Sequence, residues 1–412
     1  MGTQFSIALA KHLLSKSLGT SNVVFSPISI HAVLGVIAVG SKGQTLDQLL
    51  SFLKTTTIDD LNALSSQLVS LVFADSSQSG GPRLSYANGL WVDQTLPLKP
   101  FFKQIVDRVY NATSNQVDFQ TEADKVVEQV NLWAERQTNG VIKHILSVDA
   151  ITSTTSLIFA NAVYFKGAWI KQFDPSETKH YDFHLLNGTK VQTPFMTTKV
   201  YDKPFISVYH GFKVLALPYL KGKDEHRSFT MYLYLPDAKD GLPSLIEEMG
   251  SRSDFLDKHL RNRVLKARRF LIPKFKISFE FEASKMLKEL GVVLPFSAGA
   301  EGLSEMVEGG KQGPPWGRAG RAVAQGPTTK GGPKFFKNGP GGKVYVSSIH
   351  QKCLVEMNEE GTEAAAISKC ENLMCDYDKV DFVADHPFMF VIREDTTGVV
   401  LFLGQVTDPC ES

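Results

Sequence analysis

The sequence has little of what usually announces a function. Of 412 residues only four are cysteine, Cys353, Cys370, Cys375 and Cys410, all near the C-terminal end and none in CxxC spacing. That excludes a disulfide framework and gives no zinc signature, so reduced thiols in a cytosolic setting are the simplest reading. No charge of either sign dominates: 44 basic and 43 acidic side chains leave a formal charge of +1, too little for whole-surface attraction to nucleic acid or to acidic membranes. The longest apolar run, residues 32–40, is far shorter than the roughly 18 residues that a membrane span needs. The first twenty residues carry Lys11, His12 and Lys16 among their apolar positions and read as an amphipathic helix rather than a secretory leader. Neither HExxH, GxSxG nor a complete phosphate-binding loop occurs. The ten histidines are scattered, and His12, His31, His144 and His180 have ordinary places on helix or loop faces, so no metal or cofactor is expected. Two glycosylation sequons, at Asn111 and Asn187, are short enough to arise by chance and matter only in the secretory route.

What the sequence does contain is regular secondary structure of both kinds. Ser26 and Pro27 precede an apolar stretch through Val39, which predicts a serine-capped helix too hydrophobic for the surface. Residues 123–146 place Val127, Val130 and Ala134 at helical spacing, with Gly140 as a break. Phe275, Ile277, Phe279 and Phe281 alternate with polar residues, and Phe229, Met231, Leu233 and Leu235 repeat the pattern, as half-buried strands do. Asn187-Gly188 marks one hairpin, and the EDTTG segment after Ile392 marks another. Helices gather before residue 146 and strands after it, so the class is α+β, read as one domain over residues 1–412. One stretch departs from this: residues 309–342 hold 11 Gly, 5 Pro, 6 Lys or Arg and no acid. Such a composition cannot offset its ordering entropy and predicts a disordered surface loop, either an insertion without a role or a basic tether for an anionic partner.

The most unusual local composition is EEGTEAAAIS at residues 359–368, entered from a predicted strand in which Cys353, Val355 and Met357 alternate with Leu354, Glu356 and Asn358. Taken alone, the alanine-rich piece also reads as a helix. As a latent strand it sorts its side chains. Thr362, Ala364, Ala366, Ser368, Cys370, Asn372 and Met374 fall on one uncharged and mostly small face, while Glu363, Lys369 and Glu371 fall on the other. Such a segment could slide between two strands with its compact side chains over a core, and Gly361 would supply the hinge.

EEGTEAAA, together with FVADHPFMF at residues 382–390, resembles the reactive-loop hinge and C-terminal signature of the serpins. NVVFSPISI at 22–30, NLW at 131–133 with TNG at 138–140, and FANAVYFKGAW at 159–169 are similar to further motifs of that family in the family's order. SGGP at 79–82 and the ADHPF motif are similar to plant members of the serpin Z group. The resemblance covers the chain apart from the Gly/Pro stretch. It implies a serpin fold of three β-sheets and about nine helices with an exposed reactive-centre loop at about 359–381.

It also implies a suicide inhibitor rather than an enzyme. A protease attacks the loop, and the cut loop enters the large sheet before deacylation, so the partner is a covalently held protease and the protein acts as a monomer. The hinge would comprise Glu359, Glu360, Gly361, Thr362, Glu363, Ala364, Ala365 and Ala366. Trp169 would stand at the breach where insertion begins, and Ser26, Ser29 and Asn161 at the shutter where the sheet parts. The family spacing from Glu359 puts the reactive bond after Cys375, before Asp376; measuring back from ADHP puts it after Met374. Either register leaves an apolar residue before the cleaved one, which suits papain-like cysteine proteases, with a serine protease as the other target class the resemblance implies. Two departures stand out. His350 lies one residue upstream of the family's shutter histidine, with Gln351 in its place; a bulge could absorb the extra residue, but without one a one-step offset turns His350 to the wrong face and argues against it as the shutter residue. The Gly/Pro stretch joins just ahead of the same strand. The rival expectation is a serpin-shaped storage, scaffold or binding protein. The location implied is the cytoplasm, with the apoplast as the alternative.

Overall fold

The computed structural model describes residues 3–198, 205–224, 226–260, 264–298, 302–308, 344–360 and 379–411. Among these are nine α-helices: α1 (Thr3–Lys16), α2 (Pro27–Val39), α3 (Gly43–Leu53), α4 (Ile58–Gln67), α5 (Pro100–Val109), α6 (Ala123–Gln137), α7 (Leu242–Ser251), α8 (Phe255–Lys258) and α9 (Ala283–Glu289). The strands are β1 (Val23–Phe25), β2 (Arg83–Asp93), β3 (Ala112–Val117), β4 (Leu157–Lys166), β5 (Lys179–His184), β6 (Lys190–Met196), β7 (Phe205–Val208) and β8 (Phe212–Pro218). They continue with β9 (Phe229–Pro236), β10 (Val264–Pro273), β11 (Phe275–Glu282), β12 (Ser348–Met357), β13 (Lys379–Val383), β14 (Phe388–Glu394) and β15 (Val400–Val406). The Gly/Pro stretch and most of the expected reactive loop lie outside the described residues.

A five-stranded sheet runs in the order β11-β12-β4-β2-β3. A larger network runs β1-β15-β14-β9-β8-β7-β10-β6-β5, with β13 added to β10. Hydrogen bonding among the described residues thus gives two networks where the resemblance implied three sheets. The reason is β10, which pairs with β7 at its start, with β6 at its end and with β13 in parallel across a register shift between Ala267 and Phe270. One strand thereby joins what would otherwise be two sheets.

Every residue of α2 is buried, because its apolar sequence has no polar face to turn outward and it sits between the other helices and the sheets. The Ser26 hydroxyl does not cap it, contrary to the sequence expectation; Ser26 is held through its backbone instead. His31, in the middle of this helix, meets the Phe5 ring edge-on, and burial lowers its pKa to about 3, so it is neutral. α6 ends at Gln137, where Asn139 and Gly140 adopt positive φ, and it buries Val126, Val127, Val130 and Ala134 over β2 and β4. The side chain of Asn131 accepts from the Ile145 and Leu146 N–H groups (2.8 and 2.9 Å), which draws the segment after α6 back across the sheet. β9 is buried on both faces, unlike the half-buried strand its alternation suggested, because Tyr232 and Tyr234 face one apolar cluster while Met231, Leu233 and Leu235 face another. Both predicted hairpins are present, as β5-β6 and β14-β15.

Candidate functional site

β4 and β12 lie side by side and parallel, in unbroken register from Ile158 opposite Ser348 to Phe165 opposite Val355. Parallel pairs are slightly less stable per residue than antiparallel ones. Two amides face each other across this seam on the side toward α2: Asn161 of β4 and Gln351 of β12. Gln351 Nε2 donates to Asn161 Oδ1 (3.0 Å) and to the Ser26 carbonyl (3.2 Å), while its Oε1 accepts from the Ser26 N–H (2.9 Å). Asn161 Nδ2 donates to Asn88 Oδ1 (2.5 Å) and to the Ala87 carbonyl (3.3 Å), and the Asn88 amide reaches the Tyr86 hydroxyl. One chain of buried amides therefore crosses β12, β4 and β2 and ties them to the start of α2. The hydroxyls of Ser26 and Ser29, both fully buried beside it, have no partner among the described residues. Such a network stabilises only while it is complete, since each buried group left bare costs about 1–3 kcal/mol.

The head of the seam is built from the residues that follow β12. The indole N–H of Trp169 donates to the Asn358 carbonyl (3.0 Å), and its ring stacks on Tyr219 at 4.3 Å. The Phe173 N–H donates to the Glu359 carbonyl (3.0 Å), and Gln172 Nε2 to that of Glu360 (3.3 Å). Glu359 is 8% exposed, and its carboxylate is shared between the Lys274 ammonium (2.8 Å) and the Thr178 hydroxyl (2.8 Å). Burial pushes the Glu359 carboxyl up, but the bonds from Lys274 and Thr178 outweigh it and hold the group below the ordinary glutamate range. The chain is thus pinned as far as Glu360 at the top of the parallel seam.

A family model described as "Serpin (serine protease inhibitor)" matches residues 2–409. Serpin-ZX of Arabidopsis thaliana is 50% identical over 410 residues, covering 98% of this chain and 97% of that protein. Serpin-ZXA of rice (Oryza sativa subsp. japonica) is 45% identical over 414 residues, covering 99% and 96%. Among solved structures, that of Arabidopsis AtSerpin1, described as a native stressed conformation, superposes with a TM-score of 0.86 at 50% identity, covering 98% of this chain and 96% of that one. The chain belongs to the serpin family.

In this serpin the structure brings Ser26 and Asn161 together on Gln351 at the middle of the seam, and Trp169, Glu359 and Glu360 at its head; Ser29 is buried in the first turn of α2 with no bond to them among the described residues. The other hinge residues, Gly361, Thr362, Glu363, Ala364, Ala365 and Ala366, and the reactive-bond candidates Met374, Cys375 and Asp376 lie outside the described residues. No bulge brings His350 round: β12 is continuous, so Gln351 faces Ser26 and Asn161 while His350 turns to the opposite face, where its Nε2 lies 2.9 Å from the Ser348 hydroxyl. Sequence reasoning missed Asn88, Lys274 and Thr178. Asn88 carried a signal, since an amide inside the otherwise apolar run of β2 has to find a partner. Lys274 and Thr178 carried none, because their partner Glu359 is far along the chain. Among the described residues no group of three His, Cys, Asp or Glu side chains is arranged to hold a metal, and no helix is long and apolar enough to cross a membrane.

Proposed function

We propose that this serpin inhibits proteases as a suicide substrate, with the segment after Glu360 as bait. The protease's nucleophile attacks the carbonyl of Met374 or Cys375, the peptide nitrogen of the next residue leaves, and an acyl-enzyme forms. The freed segment then enters the seam antiparallel to both neighbours, so that one parallel pair gives way to two antiparallel pairs, and the acylated protease is carried along before water releases it. The observation that supports this reading is the parallel contact of β4 and β12 directly beneath a pinned chain exit. The native stressed description of the similar Arabidopsis structure agrees with it. The apolar residue before either candidate bond, Leu373 or Met374, favours a papain-like cysteine protease as target, and reduced cysteines favour action in the cytoplasm.

The test is incubation with a papain-like protease. An adduct that survives SDS and a matching loss of protease activity are expected. Cleavage of the loop with full protease activity retained would instead indicate a serpin-shaped protein without inhibitory function.

A further inference from the structure

At the end of the seam opposite Trp169, a polar cavity of about 330 Å³ spans both strands. Asp149 and Thr154 line it from the segment leading into β4, and Glu282, Tyr345, Ser348 and His350 line it from the β11–β12 side. Its walls are held together by the Tyr345 hydroxyl, which donates to the Thr154 carbonyl (2.7 Å), and by the Ser156 N–H, which donates to Ser347 Oγ (3.0 Å). Both bonds run from one side of the seam to the other, so the cavity keeps this shape only while β4 and β12 are paired.

Glu282 stands directly opposite His350 across β11 and β12. Burial lowers the His350 pKa against the pull of Glu282, so the imidazole is neutral and does not repel a cation. Among the described residues no lysine or arginine lines the cavity, and the charges facing it are the carboxylates of Asp149 and Glu282, one on each side of the seam. Glu282 pairs outward with Lys285 (3.3 Å), whose side chain is 79% exposed; such a pair is weak and yields to a competitor. Carboxylates on facing walls with hydroxyls between them match a ligand that carries an ammonium at each end of a short chain. The volume lies near the lower end of the roughly 300–1,000 Å³ usual for small-molecule sites, which leaves room for a chain of a few carbons. We propose that this cavity binds a short aliphatic diamine, with Asp149 and Glu282 each taking one ammonium and the hydroxyl oxygens of Tyr345 and Ser348 accepting from them. Because the ligand touches both sides of the seam, it binds the closed sheet and not the parted one. By linkage, occupancy favours the closed form by as much as the two affinities differ, and so opposes entry of a strand. That consequence rests on the insertion reading above, whereas binding to the intact protein does not.

The probe is putrescine, titrated calorimetrically into the intact protein at low salt, with 1,4-butanediol as the uncharged control. Saturable binding of putrescine and none of the diol is expected. Glu282→Gln and Asp149→Asn are each expected to weaken binding about three- to tenfold, whereas Lys285→Gln, which removes the competitor for Glu282, is expected to tighten it. Wild type cut in its loop is expected to bind at least about tenfold more weakly, while its guanidinium midpoint rises. Absence of binding, equal binding of the diol, or an affinity unchanged by both carboxylate variants would overturn the site. Undiminished binding by a cleaved protein whose midpoint has risen would overturn its dependence on the closed seam. If cleavage leaves the midpoint where it was, the insertion reading itself fails, and the titrations of the intact protein still decide the site on their own.

Discussion

Gln351→Ala is the most direct probe of the seam. The substitution removes three hydrogen bonds and leaves the Ser26 N–H and Asn161 Oδ1 without their present partner in a dry interior. At about 1–3 kcal/mol for each bare group, the intact protein loses about 2–6 kcal/mol. Unfolding entropy of about 2.1 cal/mol/K per residue over the whole chain converts this to a fall of about 2–7 °C in the melting temperature. The cleaved form responds differently if a strand has entered, because β12 and β4 are then apart and the Gln351–Asn161 bond no longer exists to be lost. The expected outcome is therefore a drop in the intact protein about twice that in the cleaved one, with more rapid loop insertion after a cut. Calorimetry of the intact protein and guanidinium unfolding of the nicked protein read the two terms. Equal destabilisation of both forms would refute the reasoning, since it would mean that the amide network does not depend on the seam being closed.

Two other substitutions address the head of the seam. Glu359→Gln keeps the shape and the Thr178 contact but removes the charge opposite Lys274, and is expected to cost the intact protein about 1–3 kcal/mol, read by thermal melting at neutral pH. Because the folded-state pKa of Glu359 lies below its unfolded value, its stabilisation is present above the ordinary glutamate range and is lost as pH falls through the lowered folded value. Wild type should therefore lose stability faster than Glu359→Gln on acidification, and the two melting curves should converge. Trp169→Phe removes the indole donor to the Asn358 carbonyl while retaining a ring against Tyr219, with an expected cost of about 1–2 kcal/mol and faster amide exchange confined to residues 357–360.

The parts of this fold that were legible in the sequence are those fixed by near neighbours. Period-two alternation located β11, Asn187-Gly188 located the β5-β6 hairpin, and the apolar run after Pro27 located α2. The break of α6 near Gly140 was readable because only a residue tolerant of positive φ fits there. Burial on both faces of β9 was not readable, because Tyr232 and Tyr234 pass for exposed positions until a second layer is known to cover them. The site divides in the same way. Trp169 and the hinge glutamates stood out through the serpin resemblance, whereas the ion pair between Lys274 and Glu359 joins two residues whose own surroundings say only that they are charged. His350 illustrates how register decides: one residue along a strand reverses the face, and only the pairing with Asn161 showed that Gln351 is the one turned inward.

Between apolar pairs such as Phe159–Ile349 and Val163–Cys353, the middle of the seam is closed by directional polar bonds, and this has a mechanical consequence. Apolar contacts weaken gradually as surfaces separate, and neighbouring side chains slide in to replace them. The amide chain from Ser26 through Gln351 and Asn161 to Asn88 depends on hydrogen-bond geometry that fails within a fraction of an ångström. The amide chain therefore gives way within a short parting of the strands, which is the behaviour that the proposed insertion would require of it. Breaking it therefore costs most at the first parting of β4 and β12, when Gln351 and Asn161 lose each other before any other group can reach them.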